Sequence, residues 1–340
     1  MPPRVAVMGA TGAVGREMLK TLEQRKFPTA SVKALASKRS AGLKLPFRGG
    51  EVVVEELTHD SFQDVDLVLA SAGASISKEF APSAVKAGAV VVDNTSFFRM
   101  DTEVPLVVPE VNADVLPTHK GIIANPNCST IQMVVALGPI HRQFGLKRIV
   151  VATYQAVSGK GANAMKELRE QVEALRTGAA LEFNAFPVQI AYNVLPHIDV
   201  FTENGYTKEE MKMVNETRKI LGDNSIGVSA TCVRVPVFRG HSESVNFQTV
   251  RPASVAQIRE LLEGAPGVAY KDTPANAPYP TALDSDGRDE TFVGRLRADA
   301  SAENAFDLWV VSDNLRKGAA LNAVQIGEEL LKRNLLRIMD

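Results

Sequence analysis

The first twenty-odd residues constrain the fold more than any other stretch of this chain. Arg4 to Met8 is a short apolar run. Gly9-Ala10-Thr11-Gly12-Ala13-Val14-Gly15 follows it directly and leads into a helix-like stretch from Arg16 to Glu23. A strand, a glycine turn and a helix in that order open a βα unit. The spacing is G-x-x-G-x-x-G rather than the stricter G-x-G-x-x-G, and alone it fits a bare tight turn equally well. In this context it predicts a dinucleotide loop built from Gly9, Thr11, Gly12, Ala13 and Val14. Glycines let the backbone approach a pyrophosphate, and the N–H groups of the helix start hold its charge.

The rest of the first third keeps the same rhythm. Val32–Ala36, Val52–Val54, Val65–Ala70 and Ala89–Asp93 read as strands, and Ile76–Ala87 reads as a helix. Apolar, β-branched strands of this kind belong to a parallel sheet covered on both faces. The end of the second strand bears on the cofactor. An NAD site usually carries an acid there, whereas this chain has Ala36-Ser37-Lys38-Arg39-Ser40. Hydroxyls and a guanidinium suit a 2′-phosphate, so Ser37, Arg39 and Ser40 point to NADP. A plain solvated loop is the competing reading.

The pattern changes near Asn125. Asn125-Pro126-Asn127-Cys128 reads as a turn that feeds a helix to about Phe144, and mixed strands and helices follow. The expected fold is α/β: a Rossmann-type NADP-binding domain (1–126 plus 314–340) and a second, α+β domain (127–313). The last helix, Gly318–Arg333, is expected to pack back on the first domain. The Pro-rich loop at 272–278 reads as either an oligomer contact or a lid.

Composition narrows the function classes. Lys and Arg number 38 against 39 Asp and Glu, a net charge of −1. That argues against nucleic acid or an anionic membrane as partner. Two cysteines are too few for a disulfide scaffold or the usual thiolate metal site, so no metal is expected. The N-terminus has no signal-peptide core, and no apolar run has membrane-spanning length, so the expected compartment is the cytoplasm.

The two thiols differ in context. Cys128 sits at a helix start, where the dipole and backbone N–H groups favour a thiolate and could also hold an oxyanion. Cys232 lies inside the apolar strand Ser229–Val233 and reads as inert core. A thiolate mechanism needs a proton shuttle. His241, at a glycine turn in Arg234-Val235-Pro236-Val237-Phe238-Arg239-Gly240-His241-Ser242, and His197 remain equal candidates on these grounds.

Taken together, the glycine loop, the Asn125–Thr130 block and the Arg234–Ser242 block resemble the aspartate-semialdehyde dehydrogenase family, in order and over essentially the whole chain. The resemblance implies NADPH-dependent reduction of L-aspartyl-4-phosphate to L-aspartate-4-semialdehyde with release of phosphate, through a cysteine thioester, in biosynthesis of lysine, threonine, methionine and isoleucine. It implies Cys128 as nucleophile, His241 as acid/base and Gln155 as a substrate-positioning group. It further implies Arg234 on the substrate α-carboxylate and Glu209 on its amine, with Glu210 as the alternative. Arg99 and Lys212 would take the phosphate. Gly73, Ser158, Gly159 and Asn314 would line the cofactor. Without the resemblance, Glu209 and Lys212 are surface charges at helical spacing. A homodimer or a pair of dimers is implied, with 127–313 as the catalytic and dimerisation domain.

Two other readings stand beside it. N-acetyl-γ-glutamyl-phosphate reductases run the same chemistry on an acylated substrate. They tend to carry Tyr after the cysteine, where this chain has Ser129, and an acylated amine needs no acid such as Glu209. A non-enzymatic NADP-binding redox sensor would keep the glycine loop and Cys128, but would not need Arg99, Lys212, Arg234 and His241 together.

Overall fold

The computed structural model describes residues 1–272, 279–336 and 338. Most of the Pro-rich loop read above, residues 273–278, lies outside the described residues. The chain divides into two compact units, Met1–Asn127 with the segment from Ala319 onward, and Cys128–Gly318.

The first unit opens with β1 (Arg4–Met8), α1 (Ala13–Gln24) and β2 (Ser31–Ala36), followed by β3 (Lys44–Phe47) and β4 (Gly50–Glu56). Then come β5 (Leu67–Ala70), α2 (Ala74–Lys86), β6 (Val90–Asp93), the short α3 (Pro109–Asn112) and β7 (Ile122–Ala124). Among the described residues these form a seven-stranded sheet in the order β3-β4-β2-β1-β5-β6-β7. All pairs are parallel except β3 with β4. This is the expected parallel sheet; β5 and β6 are buried throughout, and so is β1 after Arg4. The sequence reading missed β3. Pro46 within it demotes a strand signal, and an antiparallel edge strand is where a sheet tolerates proline.

The strand order reverses direction at β1, which lies between β2 and β5. Open α/β sheets bind their ligands at such a switch, beyond the strand ends. The glycine turn stands there. Gly9 has φ +88°, and a Cβ on it would lie 2.7 Å from the Ser71 carbonyl at the end of β5. A Cβ on Gly15, inside α1, would lie 2.2 Å from the Gly9 carbonyl. The helix therefore packs directly against the turn.

The second unit comprises α4 (Cys128–Phe144), β8 (Leu146–Gln155), α5 (Ala162–Thr177), α6 (Lys208–Leu221), β9 (Gly227–Arg234) and β10 (His241–Thr249). It continues through α7 (Val255–Glu263), β11 (Val268–Tyr270), α8 (Ala282–Ser285), β12 (Thr291–Ala298) and β13 (Ala305–Ser312). Its six-stranded sheet runs β11-β12-β13-β10-β8-β9. β8 and β9 are parallel, whereas β10 is antiparallel to β8 and β13. The C-terminal ends of β8, β9 and β13 and the N-terminal end of β10 thus fall at one edge of the sheet. One face carries the core, with Met133, Leu137 and Ile140 of α4 packed with Val151, Val245, Phe247 and Leu308. Strand alternation of period two sets that face.

The final helix differs from the sequence expectation at its start. Arg316–Ala320 forms a π-helical turn, and α9 (Leu321–Lys332) continues from it. As expected, Ala323, Val324, Ile326 and Leu330 of α9 join the apolar core of the first unit with Val5, Leu22 and Leu69. Among the described residues no helix is long and apolar enough to cross a membrane.

Gly15→Ala should destabilise the first unit by roughly 1–3 kcal/mol, since the added methyl meets backbone that cannot swing aside. Denaturant unfolding would record this as a lower midpoint with an unchanged slope.

Candidate active site

Five side chains of the second unit converge at the shared sheet edge. Gln155 ends β8, Arg234 ends β9 in register with it, and His241 begins β10. Cys128 is the first residue of α4, and Gln132 one turn later donates from Nε2 to the His241 carbonyl at 3.4 Å. Gln155 Nε2 donates to the Ser129 hydroxyl beside Cys128, and at 3.3 Å to Glu209 Oε1 on α6. The thiol, the amide, the carboxylate, the guanidinium and the imidazole thus form one constellation.

Ala156, the residue after β8, fixes two of them with its main chain. Its N–H donates to His241 Nδ1 at 3.0 Å, and its carbonyl accepts from Arg234 Nη1 at 2.7 Å. A ring whose Nδ1 accepts carries its proton on Nε2 when neutral. Burial, reinforced by the Arg234 cation, pushes the His241 pKa well below the ordinary histidine value, so the ring is neutral near pH 7. Burial also lowers the Arg234 pKa, while the negative charges of Glu209 and Cys128 oppose that shift. The guanidinium lies close enough to the thiol to respond to its charge. His197, the other candidate shuttle, is exposed and stacks on Phe201 at 4.6 Å between ring centroids.

Glu209 and Glu210 separate cleanly. Glu210 accepts from the Thr207 N–H at 2.7 Å in a capping box and from the Cys232 N–H at 2.9 Å. It is committed to the helix start and to β9. Glu209 faces Gln155 and is bonded by Lys212 Nζ at 3.0 Å.

Ser158, Gly159 and Asn314 form the wall behind this group. The Asn314 amide donates to the Ser158 hydroxyl at 2.9 Å, and its oxygen accepts the Gly240 N–H at 3.0 Å. Asn314 therefore ties the Ser158 turn to the turn that presents His241. A Cβ on Gly159 would lie 3.0 Å from Arg234 Nη1 and 3.3 Å from the His241 ring, so a side chain there would press on both groups.

In the first unit, Gly12 is the N-cap of α1 without a side-chain cap, and Thr11, Ala13 and Val14 surround it. Gly73 is the N-cap of α2, likewise without a side-chain cap. Helix starts left uncapped by side chains fit an anionic cofactor. Ser37 and Arg39 are exposed just beyond β2, with Ser40 half-buried in the same short 3-10 turn. Arg99 is buried, and its guanidinium donates to the Asn125 carbonyl at 3.0 Å and the Asn94 carbonyl at 2.8 Å. Carbonyl acceptors hold it without removing its charge.

Several residues here went unread in the sequence. Gly318 lies in the π-helical turn, and a Cβ there would stand 2.8 Å from Cys128 Cβ. That approach is tertiary and leaves no local signal. Glu243 is fully buried two residues beyond His241. Period-two alternation puts it on the inward face, so a charged residue in that register was a legible signal. Burial raises its pKa well above the usual carboxylate value, and Gln132 offsets only part of the shift. Cys232 is buried, and desolvation raises its pKa.

A family model described as semialdehyde dehydrogenase, NAD binding domain, matches residues 4–119, and semialdehyde dehydrogenase, dimerisation domain, matches residues 137–317. An aspartate-semialdehyde dehydrogenase of Aquifex aeolicus is 56% identical, covering 98% of this chain and 99% of its own. The chain belongs to the aspartate-semialdehyde dehydrogenase family. A crystal structure of aspartate semialdehyde dehydrogenase II from Vibrio cholerae, complexed with ASA, superposes with a TM-score of 0.95 at 49% identity, over 98% of this chain and 99% of that one. A Candida albicans member solved with NADP has a TM-score of 0.74 at 27% identity, over 98% of this chain and all of the other.

Two outcomes follow from the electrostatics. At pH 7–8 the folded protein should take up one equivalent of iodoacetamide by intact mass, and Cys128→Ala should take up none, because the Cys232 thiol is buried and held protonated. Glu243 has a raised folded pKa, so its contribution to stability is complete below the unfolded value and is lost as pH rises. Glu243→Gln should therefore raise the melting temperature at pH 8 while changing it little at pH 4.

Proposed function

We propose that this chain reduces L-aspartyl-4-phosphate to L-aspartate-4-semialdehyde with NADPH, releasing phosphate through a thioester on Cys128. The observation that carries the reading is the meeting of a helix-start thiol with a buried Arg234, a neutral His241 and an acid, Glu209, at one sheet edge.

Each residue has work that its surroundings support. Arg234, with its planar fork, clasps the α-carboxylate, and Glu209 takes the ammonium. Gln155 bridges Ser129 and Glu209 and orients the carbonyl between them. Arg99 and Lys212 bind the phosphate. The Cys128 thiolate attacks the acyl carbon, a C–S bond forms, and the resulting oxyanion is held at the helix start. Its collapse breaks the C–O bond to phosphate and leaves the thioester. Reduction of that thioester needs a hydride, which is the chemistry a bound NADPH supplies. His241 shares its Nε2 proton with the reduced oxygen and recovers it as that oxygen re-forms the C=O bond, the C–S bond breaks and the Cys128 thiolate leaves the aldehyde.

Ser37, Arg39 and Ser40 favour the 2′-phosphate of NADP, and Gly9 to Val14, Gly73, Ser158, Gly159 and Asn314 complete the cofactor contacts. The dimerisation-domain match supports a homodimer, alone or paired with a second dimer. Neither cysteine is in a disulfide, which suits a reducing cytoplasm. Glu209, with Glu210 committed elsewhere, favours a free substrate amine over an acylated one.

The reverse reaction tests the whole reading. L-aspartate-4-semialdehyde with NADP should yield NADPH only when phosphate is present, because phosphate must cleave the thioester. Cys128→Ala should lower turnover by at least about 10^3-fold. Turnover on the N-acetylated glutamate homologue alone would transfer the chain to the other reductase. Silence on both aldehydes, with Cys128 still oxidisable, would favour the sensor.

A further inference from the structure

Lys212 has two carboxylate partners. Its Nζ donates to Glu209 Oε2, 3.0 Å away, and to Asp199 Oδ2 at 2.8 Å. Glu209 lies on the same helix one turn earlier, whereas Asp199 comes from the loop before α6. That loop is built to deliver it. Asp199 has φ +68°, a left-handed conformation uncommon for a residue with a side chain. Its Oδ1 accepts the Val200 N–H at 2.9 Å, and the Val200 carbonyl accepts the Lys208 N–H at 2.9 Å at the start of α6. A bridge between Phe201 and Thr207 closes the loop onto the helix. The carboxylate is thus preset over Lys212.

We propose that Asp199 is a positioning residue that holds Lys212 in place as the phosphate-binding cation and keeps it from occupying the carboxylate that the substrate amine requires. The inference rests on the reading of Glu209 and Lys212 given above. Its logic is competition. Glu209 can compensate either Lys212 or the substrate ammonium, and both need its oxygens at the same moment. With Asp199 as a second counter-ion, Lys212 remains anchored when the substrate takes Glu209. Without it, the flexible lysine leans wholly on Glu209. Phosphate then loses a placed cation, and the substrate amine meets an occupied acid.

The test measures phosphate and L-aspartate-4-semialdehyde KM in the reverse reaction. Asp199→Asn keeps the shape and removes the charge. It should raise both KM values roughly fivefold, the scale of a partly exposed ion pair, and leave kcat within about twofold. Asp199→Glu should recover part of the loss. A purely structural role would instead lower kcat and melting temperature together. Unchanged KM values in Asp199→Asn, or a loss of kcat without a KM change, would overturn the inference. Lys212→Ala separates the two levels. If it leaves the phosphate KM unchanged, the phosphate role of Lys212 fails and the inference falls with it. If it raises that KM while Asp199→Asn does not, the role of Asp199 alone is wrong.

Discussion

The main chain of Ala156 holds the centre of the site together. Its N–H fixes His241 through Nδ1, and its carbonyl fixes Arg234 through Nη1. Backbone groups are obligatory hydrogen-bonding partners, and their position is set by the strand they end. Because β8 and β9 are parallel, Gln155 and Arg234 end in register. Because β10 is antiparallel to β8, its first residue, His241, arrives at the same edge. The sheet topology therefore does the placing, and the side chains need little freedom of their own. Rigid elements of this kind hold a reactive geometry more closely than loops do.

The two cysteines show how position decides chemistry. Both are thiols in the same unit. Cys128 stands at the first turn of α4, near a buried guanidinium and with Gly318 packed against its Cβ. Cys232 sits within β9, in contact with Met213, and its surroundings include Glu209, Glu210 and Glu243. One environment favours negative charge on sulfur, and the other opposes it twice, by burial and by repulsion.

Much of this was legible in the residue order. The glycine turn, the parallel strands and the helix that starts at Cys128 all follow from local pattern. The resemblance supplied the roles of Glu209 and Lys212, which by spacing alone are only a surface pair three residues apart. What local pattern could not carry was tertiary. The choice between Glu209 and Glu210 depends on a capping box and on the Cys232 N–H. The choice between His241 and His197 depends on burial. Asp199 reaches Lys212 across 13 residues through one left-handed turn, and nothing in the sequence marks that pairing. Gly318 meets Cys128 from nearly the other end of the chain. Glu243 is the exception, since alternation along β10 already put it inside.

Burial treats His241 and Glu243 in opposite chemical directions and reaches the same electrical result. It lowers the pKa of the imidazole and raises that of the carboxylic acid, so each is pushed towards its uncharged form. They stand at alternate positions of one strand, and Gln132 lies against both. An ionised Glu243 would draw His241 towards the imidazolium. A charged ring would present an Nδ1 proton to the Ala156 N–H, donor against donor, and the bond that orients it would be lost. A neutral Glu243 is thus consistent with the tautomer that His241 needs in order to donate from Nε2.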